Sequence, residues 1–411
     1  MRPASKYLSG LIVLLTAFVC WTASASNAVL IWDAETRHAI QSTQMDPFGA
    51  SRALALESIA VFDAIRLTEK RPSFMVELDT PTSLDHDAVA AGAAHAVLRA
   101  LFPARRTTFD KRLTETCPTA PNRAAAIAFG RKVGEAVLRA RARDGWNSEG
   151  RTRDAVDPGD WRPTPPNFPQ PLVPQWPNVK PFTMLGSAQF RRERPATPDD
   201  PAFLSQLREV AEIGAAQSTV RTADQTHAAL FWNDSIGTDT PPGHWNAIVA
   251  SLLATRTDSA QRRAYVLAAL NIAMADAAIA ATDVKYAYWY WRPITAIRAG
   301  VHDFPRQPNW RPLIPTPNHP SFPSGHATFS ASAVIVIDAL LGKLPFTTNS
   351  LAKGTAPRSF ADADDAAREA ANSRLWGGIH YRADNDEGLA LGYDVGRWAL
   401  KSFQEKVGPL P

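Results

Sequence analysis

Cysteine is almost absent from this chain: Cys20 and Cys117 are its only two among 411 residues. Cys20 lies in the apolar run "YLSGLIVLLTAFVCW", which follows Arg2 and Lys6 and precedes the small residues "ASA" at 23–25. That order is expected of a secretory signal peptide over residues 1–25, with a periplasmic or secreted mature protein. Bulky Phe18 and Val19 before Cys20 argue against a lipoprotein site. The mature chain would keep Cys117 alone, so export would bring it no intramolecular disulfide, and stability must come from packing. Long apolar runs are also missing. After the first, none reaches about 20 residues without charge, so no integral membrane segment is expected once the signal is removed. An excess of either charge is missing too: 44 Lys and Arg stand against 40 Asp and Glu. Loss of Arg2 and Lys6 lowers the formal charge from +4 to +2, which leaves little ground for nucleic-acid binding. The chain shows no alternating strand pattern, no short-period repeat, no low-complexity tract, and no carboxylate or His/Cys set suited to a divalent metal.

What is present reads as helix. Hydrophobic residues make up 45% and charged residues 20%, ordinary for a globular protein with room for a large core. In "ASRALALESIAVFDAI", Leu54, Val61, Phe62 and Ile65 recur on one face. "HDAVAAGAAHAVLRALF" and "APNRAAAIAFGRKVGEAVLRARARDG" carry alanine-rich faces that allow close helix approach, and Gly145 is expected to cap the second. "DPAFLSQLREVAEIGA", "TADQTHAALFW" and "TPPGHWNAIVASLLA" follow, the last starting at Thr240 and its prolines. From Tyr265 to Ala281 the chain is apolar nearly all round, the mark of a central buried helix. Helices over "GHATFSASAVIVIDALLG", "ADADDAAREAANSRLW" and "ADNDEGLALGYDVGRWALKSFQEKV" close the chain, with a loop at 343–360 between the first two. The expected fold class is mainly α, built as helical bundles. Prolines crowd residues 157–181 and forbid regular structure there. Residues 26–156 then form an N-terminal helical region and 157–199 a wrapping connection with Trp161, Phe168 and Trp176 tucked inward. Residues 200–411 form a C-terminal bundle, compact with the first region. A flexible interdomain linker is the alternative for the connection.

Three segments carry polar residues that a helical core would not want. In "KYAYWYWRP", Lys285 and Arg292 stand two turns apart and would share one face at the end of the buried helix, unless both reach out to solvent. In "HPSFPSGHA", Gly325 permits close backbone approach, and the free amides of the following helix attract an anion. Ser324 offers a hydroxyl there, or serves simply as the helix cap. His326 lies in the first turn. In "SRLWGGIHYRADND", Arg374 ends one helix and His380 opens the next, with Asp384 one turn on, placed to fix the imidazole tautomer. A structural Gly-Gly corner with a satisfied histidine is the plainer reading. Together these residues suit a compact tetrahedral oxyanion: three cations, neutral donors and two imidazoles.

The spacing Lys285-x6-Arg292-Pro293, Pro323-Ser324-Gly325-His326 and Ser373-Arg374-x3-Gly378-x-His380-x3-Asp384 resembles the three-part signature of the vanadium haloperoxidase and type 2 phosphatidic acid phosphatase superfamily. "TPPGHWN" at 240–246, "RARDGW" and "VKPF" are similar to its soluble, exported bacterial haloperoxidase-like branch. The resemblance implies a helical-bundle fold with the active site at the core of the C-terminal bundle, and vanadate as cofactor, with phosphate able to take the same site and no divalent metal. His380 would be the apical ligand to vanadium, or the nucleophile on phosphorus. Lys285, Arg292, Ser324, Gly325 and Arg374 would hold equatorial oxygens, with Lys285 also the donor to peroxide. His326 would be the general acid–base. His319 stands where bromide-oxidising relatives also carry histidine, which makes it the halide-site candidate, though a loop histidine capping a turn accounts for it equally. Thr282 departs from the aromatic residue that haloperoxidases place three before the lysine. The implied activity is oxidation of bromide or iodide, more than chloride, by hydrogen peroxide to hypohalous acid. An exported acid phosphatase acting on small phosphomonoesters through a phosphohistidine is the second reading, and a non-catalytic oxyanion binder the third. Oligomeric state, a homodimer included, is left open.

Overall fold

The protein is described by a computed structural model over residues 27–80 and 83–410. In chain order its helices are α1 (Ala28–Ser42), α2 (Pro47–Thr68), α3 (His86–Leu101), α4 (Arg106–Glu115), α5 (Arg123–Ala140), α6 (Pro201–Ile213), α7 (Ala223–Phe231), α8 (Thr240–Ala254), α9 (Ala260–Tyr288), α10 (Pro293–Ala299), α11 (Gly325–Leu340), α12 (Ala363–Trp376) and α13 (Arg382–Val407). The mainly α expectation holds. The expected signal peptide, with Cys20, lies outside the described residues.

Helix α9 is the axis. Ser259 caps its start by accepting from the Arg262 amide at 3.3 Å, and Trp289 ends it with φ +52°. It is buried from Ala264 to Lys285 and packs against α2, α8, α11 and α13. Among the described residues it is the one helix long and apolar enough to cross a bilayer, and its apolar stretch lies wholly inside the protein. One continuous core joins residues of α1–α5 with those of α8–α13.

Two acids on α9 tie down the proline-rich segment. Asp276 accepts from the amides of Phe182 (2.6 Å) and Thr183 (2.8 Å), and Asp283 pairs with Arg191 at 2.7 and 2.8 Å. The segment therefore runs over the body as an ordered strap. Trp161 and Trp176 are buried as expected, but Phe168 is 59% exposed. Its amide closes a turn onto the Thr164 carbonyl with φ +48°, and that turn carries the ring outward.

Close helix approach is set by glycine. A Cβ on Gly130 of α5 would stand 2.1 Å from the Val89 carbonyl oxygen of α3. One on Gly392 of α13 would stand 2.3 Å from the Thr328 carbonyl oxygen of α11. Neither pair could pack this tightly with any side chain present.

Several expectations need correction. Arg292 does not share a face of α9 with Lys285. The helix stops at Tyr288, and Arg292, in extended backbone, is the N-cap of α10, with Pro293 in its first turn. Gly145 does not cap α5, which ends at Ala140. The Arg141 guanidinium turns in to Asp144 at 3.0 Å, and Gly145 (φ +95°) sits in the next turn. His380 precedes α13 instead of opening it. Helices α1, α4 and α10 are additional to those expected from the sequence, and the loop 343–360 contains an antiparallel pair, β1 (Phe346–Thr348) and β2 (Arg358–Phe360). Three residues per strand are too few for alternation to show.

Gly392→Ala should destabilise the protein by about 1–3 kcal/mol through overpacking at the α11–α13 seam, measured by denaturant unfolding. An unchanged midpoint would contradict that close approach.

Candidate functional site

The start of α11, with Gly325, His326 and Phe329, sets one wall of a cavity of about 290 Å³. Five of the residues singled out in the sequence line it: His319, Gly325, His326, Arg374 and His380. A Cβ on Gly325 would meet nothing within 4 Å, so the backbone borders open space there. Lys285, Arg292 and Ser324 stand in the wall behind. The Ser324 hydroxyl accepts from the Ala327 amide at 3.4 Å, so it caps α11, and its own proton stays available to donate.

The wall is held by cations on backbone carbonyls. Lys285, fully buried in the last turn of α9, donates to the carbonyls of Pro320 (2.8 Å), Ser321 (3.0 Å) and Pro323. Arg292 donates to the carbonyls of His319 (2.8 Å) and Ile379 (2.7 Å). Its other contacts are His380 Nε2 at 3.1 Å and His319 Nδ1 at 3.0 Å. Arg374 donates to the Trp232 carbonyl, and its Nε has no partner within the protein.

His380 is oriented from behind. Its Nδ1 lies 2.8 Å from Asp384 Oδ2, an oxygen that also accepts from the Ser321 hydroxyl and the Tyr381 amide. An acceptor there assigns the proton to Nδ1 and leaves the Nε2 lone pair beside Arg292. Burial, then the neighbouring Arg292 and Lys285, lower the His380 pKa well below the usual histidine value, so the ring is neutral. Burial, then Arg374, does the same to His326, whose Nε2 has no partner within the protein. His319 is likewise held neutral by burial and then by Lys285 and Arg292.

Positive charge is in excess here. Burial lowers Arg292 to about 9 and Arg374 to about 10, and burial followed by Arg292 lowers Lys285 well below its ordinary value. Against Lys285 and Arg292 stands Asp384, raised by its own burial to about 6, and against Arg374 stands Asp234, which His244 also engages. Three cations short of anionic partners, unpartnered N–H donors and a glycine-bordered hollow form a donor set that fits a tetrahedral oxyanion such as vanadate or phosphate. Among the described residues no group of three His, Cys, Asp or Glu is placed to hold a metal cation.

The sequence reading missed the loop opposite α11. Asp234, a non-glycine residue with φ +38°, lines the cavity and lies 3.1 Å from His244 Nδ1, whose Nε2 meets Thr348 Oγ1 of β1 at 3.2 Å. His244 also stacks on Trp232 with centroids 4.8 Å apart. Burial alone would lower its pKa, but Asp234 and then Asp239 outweigh that and raise it. Histidine in "TPPGHWN" was the available signal. Its partners, 10 residues before and 104 after, gave none.

Comparison with known proteins follows the same lines. Residues 265–409 match the family model described as the VCPO second helical-bundle domain. The vanadium chloroperoxidase of Curvularia inaequalis is 31% identical over 170 residues, a match covering 33% of this chain and 28% of that relative's length. The crystal structure of the first bacterial vanadium-dependent iodoperoxidase superposes with a TM-score of 0.83 at 25% identity, over 92% of this chain and 96% of that one. A holo-type bacterial vanadium-dependent chloroperoxidase, at 18% identity and a TM-score of 0.71 over 89% of this chain and 93% of that one, shares the fold.

Asp384→Asn should weaken orthovanadate binding roughly 10–100-fold, because an amide cannot hold the Nδ1 proton as the carboxylate does. Calorimetric titration beside an unchanged circular dichroism spectrum checks this, and unaltered affinity would contradict the orienting role.

Proposed function

We propose that the chain, similar to vanadium haloperoxidases over residues 265–409 and in fold, is an exported vanadate-dependent haloperoxidase that oxidises bromide or iodide in preference to chloride. The overall reaction is halide plus hydrogen peroxide plus a proton giving hypohalous acid and water. The observation that carries the reading is the His380 imidazole at a cavity wall, its Nδ1 held by Asp384 and its Nε2 beside Arg292, with Arg374 lining the same cavity.

Vanadate held there would supply an electrophilic centre that activates peroxide without changing its own oxidation state. His380 Nε2 would bond the central atom. Arg292, Arg374, Ser324 and the Gly325 amide would hold its oxygens; Lys285, expected to donate to an oxygen and to peroxide, instead donates to the carbonyls of Pro320, Ser321 and Pro323 and would add charge from behind. These donors are placed before any chemistry starts, so they cost little reorganisation at the moment of reaction. His326, neutral and with a partnerless Nε2, would take up and return the proton at the oxygen undergoing exchange. His319, edge-on to Phe48 at 5.8 Å, presents its ring to the same cavity and would border the halide. Thr282 is buried and bonded to the Ala278 carbonyl at 2.8 Å on its own helix. Phe48 and Phe329 supply the aromatic surface of the cavity instead. The iodoperoxidase likeness over nearly the full chain supports the softer halides.

Protein loaded with orthovanadate should brominate a phenol-red-type indicator in the presence of peroxide and bromide. No colour change together with rapid hydrolysis of an aryl phosphate would replace this reading with the phosphatase. His380→Ala should abolish turnover. His326→Ala should retain vanadate binding and slow turnover about 10²–10⁴-fold, and full activity in either variant would sink its assigned role.

A further inference from the structure

The cavity is much larger and more apolar than a halide requires. Its volume is about 290 Å³, and besides the oxyanion residues its walls include the apolar Phe48, Leu172, Ile236 and Phe329 alongside the polar Asn233 and Asp234. At about 30 Å³ for each water-sized oxygen, a tetrahedral oxyanion occupies on the order of 120 Å³. The remainder is close to the roughly 150 Å³ in which an apolar protein cavity holds benzene. Aromatic side chains are part of the cavity lining. Phe48 and Phe329 lie 6.2 Å apart at a 44° tilt, with His319 edge-on to Phe48. Ile236, 48% exposed, stands at the mouth. Besides His326 Nε2 and Arg374 Nε, a third polar atom of the lining lacks a partner: the Thr316 hydroxyl is shielded from solvent and makes no hydrogen bond within the protein. A shielded hydroxyl costs free energy unless a ligand satisfies it.

We propose that this part of the cavity binds the halogen acceptor itself, a single-ring phenol whose ring lies against Phe48 and Phe329 and whose hydroxyl bonds Thr316. The proposal rests on the peroxidase reading for what becomes of the ligand, but not for its binding. Hypohalous acid formed at the His380 end would meet the ring before reaching solvent. The electron-rich ring carbon forms the C–X bond, the O–X bond breaks, and the displaced ring proton leaves with hydroxide as water.

The test is calorimetric titration with 4-bromophenol and with bromobenzene, without peroxide or halide, in the presence and absence of orthovanadate. Saturable one-to-one binding of 4-bromophenol is expected, about fivefold or more tighter than bromobenzene. Ile236→Trp, which fills the mouth from an exposed position, should weaken it at least about tenfold. Thr316→Val should bring the two ligands to equal affinity. Absence of saturable binding, or affinity unchanged in Ile236→Trp, would overturn the site. A preference for the phenol that survives Thr316→Val would overturn its mode of recognition. If these bindings hold while bromination fails, the peroxidase reading falls and the pocket stands. If bromination succeeds without binding, only the pocket falls.

Discussion

Burying three cations around one hollow is the constraint on which the rest of this structure depends. A buried guanidinium or ammonium is expensive unless it is hydrogen-bonded and its charge is met. The protein meets the first requirement with backbone: Lys285 and Arg292 donate to five carbonyls from residues 319–323 and Ile379. These bonds shape the corner that leads into α11 and set where His319 and Gly325 face. The second requirement is left to a ligand. Asp384 is the acid facing Lys285 and Arg292; its Oδ2 is taken up by His380, Ser321 and Tyr381, and its Oδ1 has no partner within the protein. An anion in the hollow is what would keep all three cations charged together.

The helical frame serves that arrangement. Helix α9 delivers Lys285 at its last turn, α12 delivers Arg374, and α11 and α13 deliver His326 and Asp384. The glycine contact at Gly392 brings α13 onto α11, which sets the distance between Asp384 and the cavity wall. Asp276 and Asp283 use the same buried helix to anchor the proline-rich strap, whose Leu172 lines the cavity. Stability and function therefore draw on one helix: a change that loosens α9 would disturb the strap and the site together.

Much of this was legible in the sequence. The all-round apolarity of Tyr265 to Ala281 gave the central helix, and the spacing of Arg374, His380 and Asp384 placed an acid where it meets an imidazole nitrogen. What was not legible depended on backbone direction or distant pairing. Counting seven residues from Lys285 to Arg292 put them on one face, but Trp289 turns the chain out of the helix, and the guanidinium returns from a different element. The role of His244 needed Asp234 and Thr348, which only the fold brings together. Phe168 read as a core aromatic because composition cannot reveal which way a proline-bounded turn projects.

The central claim is that His380 bonds the central atom of an oxyanion within this cationic hollow. The most direct measurement is a crystal structure of the protein soaked in orthovanadate, with vanadium located by anomalous scattering. The account predicts vanadium at bonding distance from His380 Nε2, with its oxygens toward Arg292, Arg374 and the Gly325 amide. Vanadium located elsewhere, or the hollow free of it at saturating orthovanadate, would contradict it.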